Sequence, residues 1–444
     1  MMNAFQGLID GAGRRIRSNP ALLLLIILHS VVCCASLVSV AGYQHYIYYD
    51  GDRLFYGIAV AAAFSSISLL LASARFSFGY FVAFYFYTMI LGFLWIDVFT
   101  KHIYDHAMAG VSAAVSFLMF AVPALLIGTP LRRAFELSPR TLERVLLSVL
   151  ALTAATMAVA ATYNFRLTSL AHIYEFRDEI ELPTLVRYLV SITSTALLPF
   201  AFAGYLALNR RWWAAATLLL MLLYYPITLS KFAFFAPAWI IMLLIVAKIF
   251  EARTTIVLSL FLPMLVGLVL YLTIRSPYVD YAHAYFNLVN IRMVATPSSA
   301  MDLYNEFFAN HPLTHFCQIS FLRSLTHCPY HQQLAVVMQD TYGFGNLNAS
   351  LFATEGIASV GLVFAPLAAL ACGFVIALGN RVSAGLPNRF VMISGALLPQ
   401  QFLNVPLTTT LLTHGAAILF VLWYITPRAI FEQKAGESAP AETA

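Results

Sequence analysis

Long apolar runs constrain this chain more than any other feature. "ALLLLIILHSVVCCASLVSVAG" (21–42) is the first, and similar runs recur along most of the sequence. Each is about 20 residues long and nearly free of charge, enough for a helix to cross a hydrocarbon core of about 30 Å. Charged residues make up only 10% of the chain and apolar residues 61%, whereas a soluble domain carries about 25% charge. The runs are apolar on every face, so the alternation of a β-barrel strand is absent. The expected fold is therefore all-α: a polytopic transmembrane helical bundle.

Twelve spans are expected, at 21–42, 54–73, 77–97, 108–128, 144–163, 185–208, 212–229, 235–250, 254–274, 351–378, 390–406 and 411–426. The first run follows a basic stretch but is too long for the apolar core of a cleavable signal, and no small-x-small cleavage pattern follows it. Four regions result: helices 1–9 in 1–274, a long loop at 275–350, helices 10–12 in 351–426, and a polar, disordered tail at 427–444. The connecting segments differ in charge. One set holds most of the basic residues, including Arg14, Arg15, Arg17, Arg132, Arg133, Arg210, Arg211 and Arg381. The positive-inside rule places that set in the cytoplasm, and with it both termini. The 275–350 loop then faces outward. It is far longer than an ordinary connection, and its patterning ("AMDLYNEFFANH", "HQQLAVVMQDTY") predicts short amphipathic helices at the membrane surface.

Cations persist on the outer side, where the rule should deplete them. Arg177 lies in "HIYEFRDEIELP", flanked by Arg166 and Arg187. Lys231 lies in "LSKFAFFAP", and Arg275 and Arg292 bracket "RSPYVDYAHAYFNLVNIR" with Tyr278 between them. Local acids can pair with Arg177. Lys231 has none closer than Glu251, twenty positions on, so it is either functional or an anchor reaching for lipid headgroups. Converging cations suit a phosphate or pyrophosphate. The chain has no GxxxxGK[ST] loop, so the energy for a reaction would reside in the substrate, as in a lipid-pyrophosphate sugar.

The stretch "YGFGNLNASLFATEGIASVG" (342–361) supplies Asn346 and Asn348, whose amides suit sugar hydroxyls, and Glu355, a carboxylate at membrane depth. Capping explains an Asn at a helix entry but not Glu355, which is the first candidate for a general base. His315 is the alternative; "HPLTH" and "HCPYH" also hold His311, His327 and His331. No HExxH or CxxC motif appears, so no metal is assigned. Cys317 and Cys328 share the long loop and either pair, in an oxidising compartment, or remain free thiols.

Four short stretches, "FRDEIELPTLVRY", "TLSKFAF", "IRSPY" and "YGFGNLNASLFATEGIASVG", together with the long outer loop, resemble the Wzy-type O-antigen polymerases, bacterial oligosaccharide repeat-unit polymerases. Members of that family usually have Arg where this chain has Lys231. The resemblance implies an inverting, metal-independent GT-C-like glycosyltransferase of the bacterial inner membrane, with no cofactor and its active site facing the periplasm. Its substrate would be an undecaprenyl-pyrophosphate-linked oligosaccharide, and its partners a chain-length regulator and a flippase; no nucleic acid is implied. Arg177, Lys231, Arg275 and Arg292 would hold the pyrophosphate, and Glu355 or a His would deprotonate the acceptor hydroxyl. The runner-up is an O-antigen ligase, in which His311 or His315 would be the essential His. A flippase or transporter of the same lipid-linked glycan is the third expectation, disfavoured by the scarcity of charge in the middle of the spans.

Overall fold

The computed structural model describes residues 19–42, 44, 46–169, 176, 180–274, 278–319, 322–323, 326–344 and 354–432. Among them there is no strand, only a lone antiparallel bridge between Ile47 and Thr100. Nine helices among the described residues are long and apolar enough to cross a bilayer. The protein is thus an all-α polytopic helical protein with the surface of a membrane protein: Leu24, Phe55 and Val363 are more than half exposed, as side chains facing lipid would be.

The nine are α1 (Pro20–Val40), α2 (Gly51–Ser73), α3 (Phe78–Phe99), α4 (His106–Leu126), α5 (Pro139–Tyr163), α6 (Thr184–Ala207), then Lys231–Ile249, Ala252–Thr273 and Thr354–Ser383. Three of the twelve expected spans fall on shorter helices. The 212–229 run breaks into α7 (Arg211–Leu223) and a single turn at Tyr225–Thr228, which opens at Pro226 and ends on Leu229 in the left-handed region at φ 45°. The runs at 390–406 and 411–426 give helices of ten residues or fewer. Pro399, Pro406 and Gly415 (φ 80°) lie along them. Proline removes a backbone donor and glycine admits the left-handed turn, so apolarity alone cannot carry a helix through these points.

The chain folds as two compact units. Unit 1 comprises residues 1–127, 253–377 and 402–407. Its centre is α3, in which every residue except Asp97 is buried, as expected for a helix apolar all round. Ser77 caps its start, accepting from the Tyr80 amide at 3.0 Å. Rings from α2 and α4 pack on it: Phe64 stacks on Tyr87, and Phe117 and Phe120 meet Phe86.

After α8 (Lys231–Ile249) and α9 (Ala252–Thr273), the long loop begins as α10 (Val279–Phe286). It continues through a π-helical stretch, Asn287–Ala295, into α11 (Thr296–Asn310). The helices are present, but α11 does not lie on the surface. Eleven of its fifteen residues are buried, because Gly92 lets it pack directly on α3. A Cβ at Gly92 would stand 2.3 Å from Ser298 Oγ, and Ser298 donates to the Met89 carbonyl at 2.9 Å. Asn290 ties the π-helical stretch to α1 and α9, donating to Ser36 Oγ and the Met264 carbonyl, each at 2.8 Å.

Unit 2 comprises residues 128–252, 378–401 and 408–444. Its core is the second half of α6, Leu198–Tyr205, wholly buried. Phe200 meets Phe390 edge-on at 5.9 Å. Residues 427–432, assigned to a tail by the sequence, are described and include the buried Arg428; residues 433–444 lie outside the description.

Candidate functional site

In unit 1 the loop after α3 and the face of α11 bring together two carboxylates, two histidines and a tyrosine. Asp302, fully buried on α11, receives three contacts. Thr100 Oγ1 donates to Oδ2 at 3.0 Å, His102 Nδ1 lies 2.7 Å from Oδ2, and the Tyr104 hydroxyl lies 2.6 Å from Oδ1. Asp97, at the last turn of α3, has the Tyr104 hydroxyl and His106 Nδ1 each 2.9 Å from Oδ1. The network reaches further. Tyr46 stacks on His102 with ring centroids 5.2 Å apart, Tyr342 of α12 (Leu334–Tyr342) approaches His102 edge-on, and the Tyr342 hydroxyl donates to Glu306.

Local sequence explains the convergence. The turn from α3 to α4 is held by the 46–48 segment, whose Tyr46 carbonyl accepts from Lys101 N and whose Tyr48 N donates to the Phe99 carbonyl, both at 2.8 Å. Asp105 caps α4, accepting from Met108 N. Asp302 and Glu306 stand one turn apart on α11 and so share a face. Burial pulls the His102 imidazole down, but hydrogen bonding to Asp302 and the charges of Asp302 and Glu306 outweigh it, and the net shift is upward. Burial and the adjacent Asp302 and Asp97 push the Tyr104 phenol far above its ordinary range. Buried titratable groups joined by short contacts can hold, donate or pass protons.

The residues singled out from sequence divide among the two units. In unit 1, Glu355 opens a helix labelled α13 (Thr354–Ser383), which kinks at Gly361 (φ 76°, ψ 173°). Glu355 is 1% exposed, and neither carboxylate oxygen has a hydrogen-bond partner among the described residues. Ser359, one turn on, pairs its hydroxyl with Thr314 at 3.0 Å. The His315 segment docks on the same turn: Thr314 N and His315 N donate to the carbonyls of Ala358 and Ser359. The two catalytic candidates thus sit on joined segments, Glu355 inside and the exposed His315 outside. Cys317 and Cys328 form a disulfide in that loop. Tyr278, exposed, sits just before α10, and Arg292 is exposed on the π-helical stretch.

In unit 2, the turn leading to Lys231 is bound to the segment carrying Arg166. Arg166 N donates to the Pro226 carbonyl at 2.9 Å, Asn164 Nδ2 to the Ile227 carbonyl at 2.7 Å, and the Tyr225 hydroxyl to the Thr168 carbonyl at 2.6 Å. The Arg166 guanidinium lies over the Phe176 ring at 5.2 Å. Arg187 is exposed in the first half of α6. Arg177, Arg275, Asn346 and Asn348 lie outside the described residues.

The Asp97–Asp302 network was not singled out from sequence. Its signal was "WIDVFTKHIYDH" (95–106), an acid closing an apolar run with two histidines and a tyrosine after it. Asp302 was visible only as part of an amphipathic pattern. No family model, curated protein or solved structure matches this chain.

Proposed function

We propose that this protein polymerises lipid-linked oligosaccharide repeat units. It would transfer the growing glycan from undecaprenyl pyrophosphate to the terminal sugar hydroxyl of a new unit at the periplasmic face of the bacterial inner membrane. The observation that carries this is Glu355, a buried carboxylate whose oxygens lack hydrogen-bond partners among the described residues. Such a group costs stability and is kept where it has work to do. The Cys317–Cys328 bridge supports an oxidising, non-cytoplasmic side for its loop.

In the proposed step, Glu355 takes the proton of the acceptor hydroxyl. The acceptor oxygen attacks the anomeric carbon of the donor sugar, and the bond from that carbon to the pyrophosphate oxygen breaks. The electron pair leaves with undecaprenyl pyrophosphate, whose developing charge the outer cations stabilise. Arg177, Arg275 and Arg292 are candidates for that role from sequence. Arg166 and Lys231 are candidates from sequence as well.

Purified protein given only undecaprenyl-pyrophosphate repeat units should build a ladder of longer lipid-linked products. Glu355→Gln should cut the rate by about 100- to 10,000-fold, the range of a lost general base. Full activity in that variant would move the role to His315. Transfer only after lipid A core is supplied would identify a ligase instead.

A second reading, a transporter or flippase of the lipid-linked glycan, is favoured by the chain of groups from the half-exposed His106 through buried Asp97 and Asp302 to His102, which resembles the acid–histidine relays of proton-coupled carriers. Movement of labelled substrate across proteoliposome membranes, without any ladder, would establish it.

A further inference from the structure

The Tyr104 hydroxyl touches two carboxylates, Asp302 Oδ1 at 2.6 Å and Asp97 Oδ1 at 2.9 Å. A phenol has one proton to donate. Spent on the nearer oxygen, it leaves the phenol oxygen facing Asp97 as an acceptor only. The second contact is then a hydrogen bond only if Asp97 carries a proton and donates it. Two ionised carboxylates on one phenol oxygen would instead repel each other in a buried setting.

We propose that Asp97, Tyr104 and Asp302 form a proton-binding site that takes up one proton on a carboxyl and exchanges it with solvent through His106. Asp302 is the ionised partner, held by donors from Thr100, Tyr104 and His102. Asp97 is the protonated one. Access follows from exposure: the His106 side chain is 43% exposed, against 10% for Asp97, 16% for His102 and 0% for Asp302. Asn305 is 2% exposed and lies one turn from Asp302 on α11, with both amide atoms unpaired among the described residues. An amide offers a donor and an acceptor, so it can follow a neighbouring carboxyl through either protonation state.

The surroundings hold few other charges. α4 brings Gly110 beside Asp97 and has no titratable side chain but His106. α11 brings Asp302 and Glu306, and α12 brings Tyr342 to Glu306. Tyr46 covers His102. At the start of α2, Arg53 donates to the Val98 carbonyl and pairs with Asp50. Lys101 faces the Tyr48 ring, and Asp105 caps α4. Among these groups only a proton, on Asp97 itself or on His106 at 2.9 Å, is placed to balance the Asp97 charge. The inference stands whether or not the chain is a transferase.

Infrared titration of the full-length protein in lipid vesicles tests it, with Glu355→Gln as the background so that the other buried carboxyl is silent. The protonated-carboxyl stretching band should be present at mildly acidic pH, above the range of an ordinary carboxyl, and fade as pH rises through neutrality. Asp97→Asn should remove it. Tyr104→Phe takes away the acceptor that stabilises the protonated form, so the band should fade about one pH unit lower, the worth of one hydrogen bond. This conservative variant serves if Asp97→Asn does not fold. Absence of the band at mildly acidic pH, or an unchanged band in Asp97→Asn, would overturn the site. An unmoved midpoint in Tyr104→Phe would also overturn it.

Discussion

Asp302 in unit 1 and Arg428 in unit 2 are both buried charges, yet they are held in opposite ways. Among the described residues, every hydrogen bond of the Asp302 carboxylate is with a side chain, and two of the three partners are titratable. Arg428 is held mostly by backbone. Its guanidinium donates to the carbonyls of Trp423 (2.7 Å), Thr426 (2.5 Å), Val382 and Ala384 (3.1 Å each), and its amide donates to Glu136 at 2.6 Å. Burial and the neighbouring Arg133 pull its pKa down to about 10, which leaves it charged at neutral pH. Carbonyls cannot titrate, so Arg428 is a fixed clamp on two helix ends. Asp302 belongs to a set whose protons can be redistributed. The same burial yields a fastener in one unit and a responsive site in the other.

The sharpest way to break this contrast is to remove each charge. Arg428→Ala takes the guanidinium donor from the Trp423, Thr426 and Val382 carbonyls, while Ala384 keeps Arg133, and a buried acceptor left unpaired costs about 1–3 kcal/mol. The loss of unfolding free energy should reach at least about 3 kcal/mol, measured by thermal denaturation in detergent. Arg428→Lys should recover only part, because a single ammonium lacks the planar fork. A loss of similar size at pH 6 and pH 8 would mark a fixed clamp.

Asp302→Ala should cost somewhat less, about 2–4 kcal/mol, because Thr100 and His102 are near enough to the surface to rehydrate in part. Its signature is pH dependence. The folded pKa of His102 lies above the ordinary 6.5, so its pairing with Asp302 contributes fully below that value and is lost as pH rises through the raised one. Wild type should therefore lose stability on the alkaline side of about pH 6.5, and Asp302→Asn should flatten that slope. An equal slope in both proteins would remove the distinction between clamp and responsive site.

The sequence was a good guide where one physical rule dominated. Nine of the expected spans correspond to helices long and apolar enough to cross a bilayer, since a 20-residue apolar run has few alternatives. It failed where tertiary packing decided. α11 reads as a surface helix because Asp302, Asn305 and Glu306 are polar, but the space opened by Gly92 and the donors at Thr100, His102 and Tyr104 draw that face inward. Those partners lie some two hundred positions away and share no local pattern with α11. Glu355 was legible because a carboxylate at the mouth of an apolar run is unexplained by capping. The clamp at Arg428 was not, because backbone carbonyls leave no trace in sequence.

Gly92→Ala probes the packing that brings α11 to the network. The added methyl would meet Ser298 Oγ at 2.3 Å and Val294 Cγ2 at 2.8 Å. Forcing the helices apart should cost about 1–3 kcal/mol. It should also weaken the alkaline loss of stability, since Asp302 moves with α11. Loss of stability with the slope intact would show that the network tolerates a shift of its helix.

The smallest expected effect is at Arg166, and it separates structure from function in unit 2. Its guanidinium lies over Phe176 from an exposed position, a contact worth about 0.5–1 kcal/mol at the surface. The bond that fixes its segment, from Arg166 N to the Pro226 carbonyl, is backbone and survives substitution. Arg166→Ala should thus melt close to wild type. If Arg166 also holds a substrate pyrophosphate, the same variant should lose ladder formation far out of proportion to its stability, and Arg166→Lys should restore part of it as a point charge. Normal product from Arg166→Ala would leave the residue a surface anchor and narrow the pyrophosphate contacts to the remaining cations.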